Sequence, residues 1–369
     1  MTATAFAGRI LAPGGAREGS LTVEGGRIAA IGPGARGRAA AWVAPGLIDL
    51  QVNGGYGIDL ASAPERVGEL AGRLPATGVT GFLPTLVSAP ADRFEDWAAR
   101  IAAATAEPGA RVLGLHLEGP FLSPDRPGAH DAAIIRAADA DCFERMLALP
   151  GLRLVTMAPE RPDAIGRIAR LVARGVVVSL GHTAADLDQM RAGIDAGARL
   201  VTHVYNAMTG FNHRAPGALG AALVDPRVVL GLIADGVHAH PVAVELAARA
   251  AGAERIALVT DAMAAAGMGP GRAQLAGRAV EVDQVSARLA DGTLAGSILA
   301  LDQAVRNAAV WSQLGAEAAL RMASEVPARA LGLAAGGVLE VGRPADLVLL
   351  DDELRVEATY VGGELVYQR

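Results

Sequence analysis

Short apolar runs alternate with amphipathic stretches through most of the chain. Eight runs stand out: Leu47–Val52, Val79–Leu83, Val112–Leu117, Leu152–Met157, Val176–Leu180, Leu200–Val204, Val228–Ile233 and Ile256–Thr260. Each has the length of one strand, and its largely unbroken apolar character suits a strand buried on both faces. Helical spacing fills the gaps, as in Asp92–Thr105, Ala185–Ala196 and Val242–Ala251. Strand and helix alternating eight times predict an α/β chain folded as a (β/α)₈ barrel of the TIM type. An open doubly wound sheet would show the same alternation; the count of eight favours the barrel.

The two ends have a different rhythm. In LTVEGGRIAAIG two β-like runs flank Gly25-Gly26, a hairpin signal, and Val361-Gly362-Gly363-Glu364 repeats that turn chemistry near the C-terminus. The economical arrangement pairs the ends. Residues 1–45 plus 336–369 would form a small β-sandwich domain, with the barrel, residues 46–335, inserted between them.

Composition narrows the chemistry. Apolar residues make up 51% and charged residues 20% of the 369 positions, which excludes a disordered chain. All 33 basic residues are arginine. Without lysine there is no Schiff-base amine, no phosphate-loop lysine and no carboxylated lysine to bridge two metals. The net charge of −6 argues against nucleic acid as a partner. One cysteine, Cys142, lies in an acidic segment expected to be helical, so neither an intrachain disulfide nor a two-cysteine metal site can form. No run approaches the length of a membrane span, and MTATAFAGRILAPGG lacks a signal peptide's apolar core; a cytoplasmic protein is expected.

In a barrel of this kind the chemistry sits at the C-terminal ends of the strands. Gln51 and Asn53 follow the first run. The third ends at Glu118, the fifth leads to His182 and the sixth to His203. Asp235 and His238 follow the seventh, and the eighth leads to Asp261. Glu118, His182 and His203 form an O/N/N donor set suited to one divalent Zn²⁺ or Fe²⁺, with a position left for water. The competing reading is a merely polar barrel mouth. A carboxylate facing a metal-bound water can take its proton and pass it to a leaving group, which suits Asp261; the alternative makes Asp261 the cap of a helix opened by TDAMAAAGM. His116, two residues before Glu118, either supports the ligands or packs in the core. Gly54-Gly55-Tyr56-Gly57 lacks the spacing of a nucleotide cradle and reads as a tight loop.

Eight segments occur in one order: APGLIDLQVNGGYGID, GLHLEGPFLSPDRPGAH, SLGHTAAD, THVYNAMTGFNHRAPG, ADGVHAH, LVTDAMAAAG, LAGSIL and GRPADLVLLD. Together they resemble the N-acetylglucosamine-6-phosphate deacetylase family of the amidohydrolase superfamily. The resemblance implies hydrolysis of the acetamide of N-acetyl-D-glucosamine 6-phosphate to glucosamine 6-phosphate and acetate. It puts Glu118, His182 and His203 on the metal ligands and Asp261 on the catalytic acid/base. His130 falls beside the scissile amide as a catalytic and substrate contact, and Asn206 and Ala207 fall at the sugar phosphate. Arg214 and His238 match further substrate contacts, which in this family can come from the neighbouring subunit, so a homodimer is implied. Gln51-Val52-Asn53 stands where many amidohydrolases carry His-x-His, which implies one metal ion per subunit, Zn²⁺ before Fe²⁺. A deacetylase of N-acetylgalactosamine 6-phosphate, or an amidohydrolase of the D-aminoacylase or deaminase type, is the alternative. A non-catalytic scaffold is disfavoured because every ligand position is filled. His213, His240 and Asp235 receive no role.

Overall fold

Strands buried on both faces can satisfy their backbone only by pairing side by side beneath a cover of helices. The computed structural model, which describes residues 3–104, 108–334 and 336–369, follows that logic. Its strands Leu47–Val52, Val79–Val87, Leu115–Glu118, Leu152–Met157, Val177–Leu180, Leu200–Val201, Val229–Leu232 and Ile256–Leu258 pair in chain order, and every neighbouring pair is parallel. Every residue of the first two strands is buried. The expected barrel is therefore present. Its helices include Phe94–Ala103, Leu187–Asp195 and Pro241–Ala251; Thr105, the expected end of the first of these, lies outside the described residues. Asp186 and Gln189 close a reciprocal cap at the start of Leu187–Asp195.

The last strand meets the first through side chains as well as backbone. Asn53 and Gly54 donate backbone N–H bonds to the Ala262 carbonyl. Thr260 donates to the buried Asp49 carboxylate from its amide, at 3.2 Å, and from its hydroxyl, at 2.6 Å.

The chain ends build a second sheet of seven strands, ordered Glu364–Gln368, Val356–Val361, Leu347–Leu350, Arg38–Pro45, Thr4–Ala12, Gly15–Glu24 and Arg27–Gly32. N- and C-terminal segments join where Leu347–Leu350 runs antiparallel to Arg38–Pro45. Both expected hairpins form, at Gly25-Gly26 and Gly362-Gly363. The sheet curls until its halves pack face to face. Phe6 and Tyr360, on strands with two others between them, meet edge-to-face at 4.8 Å over a private core that includes Ile10, Leu21, Val43 and Leu349.

One element was not expected. After the eighth strand, Gly271–Leu275, Arg278–Val282 and Ala287–Arg288 form an antiparallel sheet. Leu275, Val280 and Val282 pack on Met263 and Val87, and Arg278 donates to the Ala129 carbonyl at 2.6 Å. Cys142 is buried in the helix Ala140–Ala148. No helix among the described residues is long and apolar enough to cross a membrane.

Burial pushes the Asp49 carboxyl up to about 6, against the lowering effect of its bonds from Thr260 and Gln51. A folded-state value above the unfolded one means the folded chain holds the extra proton between about pH 4 and pH 6, so this carboxyl's contribution falls as pH rises through that window. The stability of the wild type relative to D49N, from urea unfolding, should fall by about 3 kcal/mol between those limits. A pH-independent difference would contradict the assignment.

Candidate active site

Four buried side chains converge just past the strand ends. Glu118 closes the third strand, and His182, His203 and Asp261 follow the fifth, sixth and eighth. His182, His203 and Asp261 all adopt left-handed backbone, with φ of 47°, 26° and 51°. Each such residue costs about 1–3 kcal/mol, and such strain persists only where surrounding contacts over-determine it. Packing beside them is correspondingly tight. Gly128 has φ of +55°, and a Cβ there would lie 2.9 Å from the His182 ring.

The atoms that meet can each ligate a metal. Glu118 Oε1 lies 3.1 Å from His203 Nε2 and 3.3 Å from His182 Nε2, and the two Nε2 atoms are 3.0 Å apart. His182 Nδ1 faces the Arg126 carbonyl at 3.0 Å. A carbonyl only accepts, so Nδ1 carries the proton and Nε2 points a lone pair into the cluster. Lone pairs on neighbouring imidazole and carboxylate repel unless a proton or a metal ion sits between them. The spacing is that of a tetrahedral edge, about 3.3–3.4 Å for 2.0–2.1 Å bonds. The donor set thus fits a divalent ion. His203 Nδ1 is buried with no partner among the described residues.

His130 is also close. Its ligand atoms lie within 4.8 Å of those of Glu118 and His182, and its Nε2 is 3.7 Å from Glu118 Oε2. Its tautomer separates it from the other two rings. His130 Nδ1 accepts the Ser88 backbone N–H at 3.1 Å. Burial, then the neighbouring His182, hold its acidity near a pKa of about 3, so the ring is neutral. Its one proton is therefore on Nε2, which makes that nitrogen a donor and not a ligand.

Asp261 is held by amides. Asn53 Nδ2 donates to Asp261 Oδ1 at 2.7 Å, and Gln51 Nε2 donates to the same oxygen and to Glu118 Oε1, both at 3.0 Å. Burial, then the Glu118 charge, push the Asp261 carboxyl up to about 7. Ala262 bridges Val52 and Ser297 and residues 264–267 form a turn with no helix after it, so the helix-cap reading of Asp261 falls.

These groups line a cavity of about 440 Å³, whose outer wall carries Asn206, Ala207, His238 and Arg126. His238 Nδ1 pairs with Asp235 Oδ2 at 2.6 Å, while Asp235 Oδ1 accepts the Val237 and His238 backbone amides. Burial works against the Asp235 charge, but the His238 bond holds its carboxyl below the usual range. Arg214 is the exception among the expected residues: it lies exposed on a loop outside the cavity wall. The unforeseen sheet and its trailing loop bring Leu275, Thr293 and Leu294 to the mouth. Its sequence signal was the two-residue turn Ala276-Gly277, both left-handed.

The remaining histidines are accounted for. His116 sits between Thr85 Oγ1, at 3.1 Å, and Thr156 Oγ1, at 2.9 Å. Burial drives it down to about 4, so it is a neutral link in a hydroxyl belt that continues through Thr202 to Ser179. His240 caps Pro241–Ala251, and His213 is exposed.

The amidohydrolase family model matches residues 42–366, and the chain belongs to that family. Its metal-dependent chemistry agrees with the donor cluster. The chain is 44% identical over 342 residues to the human N-acetylglucosamine-6-phosphate deacetylase, covering 88% of this chain and 83% of that one. It is 42% identical to the N-acetylgalactosamine-6-phosphate deacetylase of Escherichia coli O157:H7, covering 94% of both. Among solved structures it is similar to the Mycobacterium smegmatis N-acetyl-D-glucosamine-6-phosphate deacetylase in complex with N-acetyl-D-glucosamine-6-phosphate, with a TM-score of 0.94, 36% identity and full coverage of both chains. The resemblance read from the eight segments is borne out.

The tautomers predict how metal retention divides. Dialysed H182A and H203A should lose the bound divalent ion, while H130N keeps wild-type content, as read by elemental analysis. Loss from H130N equal to that from H182A would overturn the assignment of His130 as a donor.

Proposed function

We propose that the protein hydrolyses the acetamide of N-acetyl-D-glucosamine 6-phosphate to D-glucosamine 6-phosphate and acetate. The observation that carries this reading is Asp261, raised in pKa and aimed by two amides beside three converging metal donors. Close relatives of the whole chain act on hexosamine 6-phosphates by name. A divalent ion held by Glu118, His182 and His203, one per subunit and zinc before ferrous iron by its donors, supplies Lewis acidity to the acetyl carbonyl and lowers the pKa of water.

Asp261 takes the proton of the attacking water as its oxygen bonds to the acetyl carbon. It returns that proton to the nitrogen as the C–N bond breaks, because an amide anion is too basic to leave. His130, neutral with its proton on Nε2, donates to the carbonyl oxygen as charge develops there. Gln51 and Asn53 turn their N–H donors to Asp261 and Glu118, and their amide oxygens are poorer ligands for zinc than the imidazoles of a His-x-His pair.

The phosphate is taken by the outer wall, where Asn206, Ala207 and His238 stand. Arg214 joins from a second copy of the chain in a homodimer. Its loop carries Phe211, 61% exposed, and the nearby helices Gly217–Val224 and Pro241–Ala251 expose Val224 and Leu246. An exposed apolar stretch beside an unengaged arginine suits a surface covered by a partner. The terminal sheet, 1–45 plus 336–369, and the barrel, 46–335, form the two domains, and the protein acts in the cytoplasm.

Acetate release from N-acetylglucosamine 6-phosphate tests the reading. D261N should lower kcat by about 10³-fold or more with metal content unchanged. R214A should raise KM with a smaller effect on kcat, because it loses a bidentate phosphate contact. The E. coli relative favours one rival, and higher kcat/KM for the galactosamine epimer would transfer the reading to that sugar.

A further inference from the structure

Asp49 is a buried carboxylate that the reaction does not use. It is 1% exposed and lies in the first barrel strand. Its Oδ1 accepts two backbone amides, Gln51 of its own strand and Thr260 of the loop after the last strand, each at 3.2 Å. Its Oδ2 accepts the Thr260 hydroxyl at 2.6 Å. The same hydroxyl oxygen accepts the Ala262 amide at 3.1 Å. One carboxylate therefore fixes the backbone on both sides of Asp261, and it fixes Gln51 as well, whose side chain donates to Asp261.

The neighbouring contacts complete the hold. Ser297 Oγ donates to the Thr260 carbonyl at 2.5 Å, and the Ser297 amide donates to the Asp261 carbonyl at 2.8 Å. A Cβ on Gly296 would stand 2.8 Å from that carbonyl, so the approach requires glycine. These bonds surround a residue whose φ of 51° is unfavourable for an aspartate. Left to itself, Asp261 would relax toward negative φ and swing its carboxylate away from Gln51 and Asn53. A buried carboxylate without a cationic partner is an expensive way to close a barrel. Its location directly behind the proton-transferring residue gives that expense a use.

We propose that Asp49 and Thr260 are positioning residues: a bracket joining the first and last strands that holds Asp261 in its left-handed conformation and aims its carboxylate at the reaction. The inference deepens the hydrolase reading and rests on it. The bracket acts on chemistry and not on binding, so its loss reduces kcat and leaves KM and the metal in place.

The test uses the full-length protein. T260V keeps the shape and removes the hydroxyl; T260S keeps the hydroxyl. T260V should lose about 10- to 100-fold in kcat, the scale of a small misplacement of a reacting group. Its KM should stay within about threefold of wild type and its metal content should not change, while T260S should recover kcat to within about threefold. Wild-type kcat in T260V, or equal losses in T260V and T260S, overturns the proposal. If T260V does not fold, D49N carries the test: a loss of kcat of about tenfold or more at unchanged KM and metal content upholds the bracket, and an unchanged kcat overturns it. If the wild type releases no acetate, the activity reading fails separately, and the bracket is judged on a crystal structure of T260V, or of D49N if T260V does not fold. Asp261 at negative φ upholds it; Asp261 unmoved overturns it.

Discussion

Three buried atoms able to ligate a metal, Glu118 Oε1, His182 Nε2 and His203 Nε2, lie within 3.3 Å of one another. Nothing else in the site has meaning without that constraint. Buried carboxylate and imidazole groups this close need a proton or a metal ion between them. The cost is met by the barrel, which delivers each atom from the end of a different strand. It is also met by tolerated strain, since both histidines stand in left-handed backbone.

The rest of the site follows from how hydrogens are distributed around those atoms. His182 and His130 are both neutral-capable rings within reach of Glu118, yet they face opposite ways chemically. The Arg126 carbonyl obliges His182 to present a lone pair, and the Ser88 amide obliges His130 to present a proton. Gln51 then bridges the two carboxylates as a donor, keeping Asp261 near its partner without filling the cluster. One backbone group per ring is enough to leave one imidazole an acceptor and the other a donor. Beneath this layer the hydroxyl belt through His116 satisfies the polar interior without entering the reaction.

Much of this was legible in the sequence, and for physical reasons. Parallel strands buried on both faces leave apolar runs, and the polar residue that ends each run marks the mouth of the barrel. Leu47–Val52 and Leu152–Met157 matched their observed strands end to end. The three-stranded sheet over the mouth escaped because its outer positions are solvated and its inner ones few, so GRAQLAGRAVEV has no strong period. The same screening hides the bracket. Asp49, Thr260 and Ser297 carry no distinctive spacing, and only distances show that they surround Asp261. Arg214 marks the reverse case: its residue type was legible, but it lies exposed outside the cavity wall.

The most direct test of the account is anomalous diffraction from crystals of the protein loaded with zinc, recorded on both sides of the zinc edge. The account predicts one peak per chain, between Glu118, His182 and His203, with His130 and Asp261 outside bonding distance. A second peak beside Gln51 and Asn53, or a single peak bound by His130 in place of His203, would contradict it.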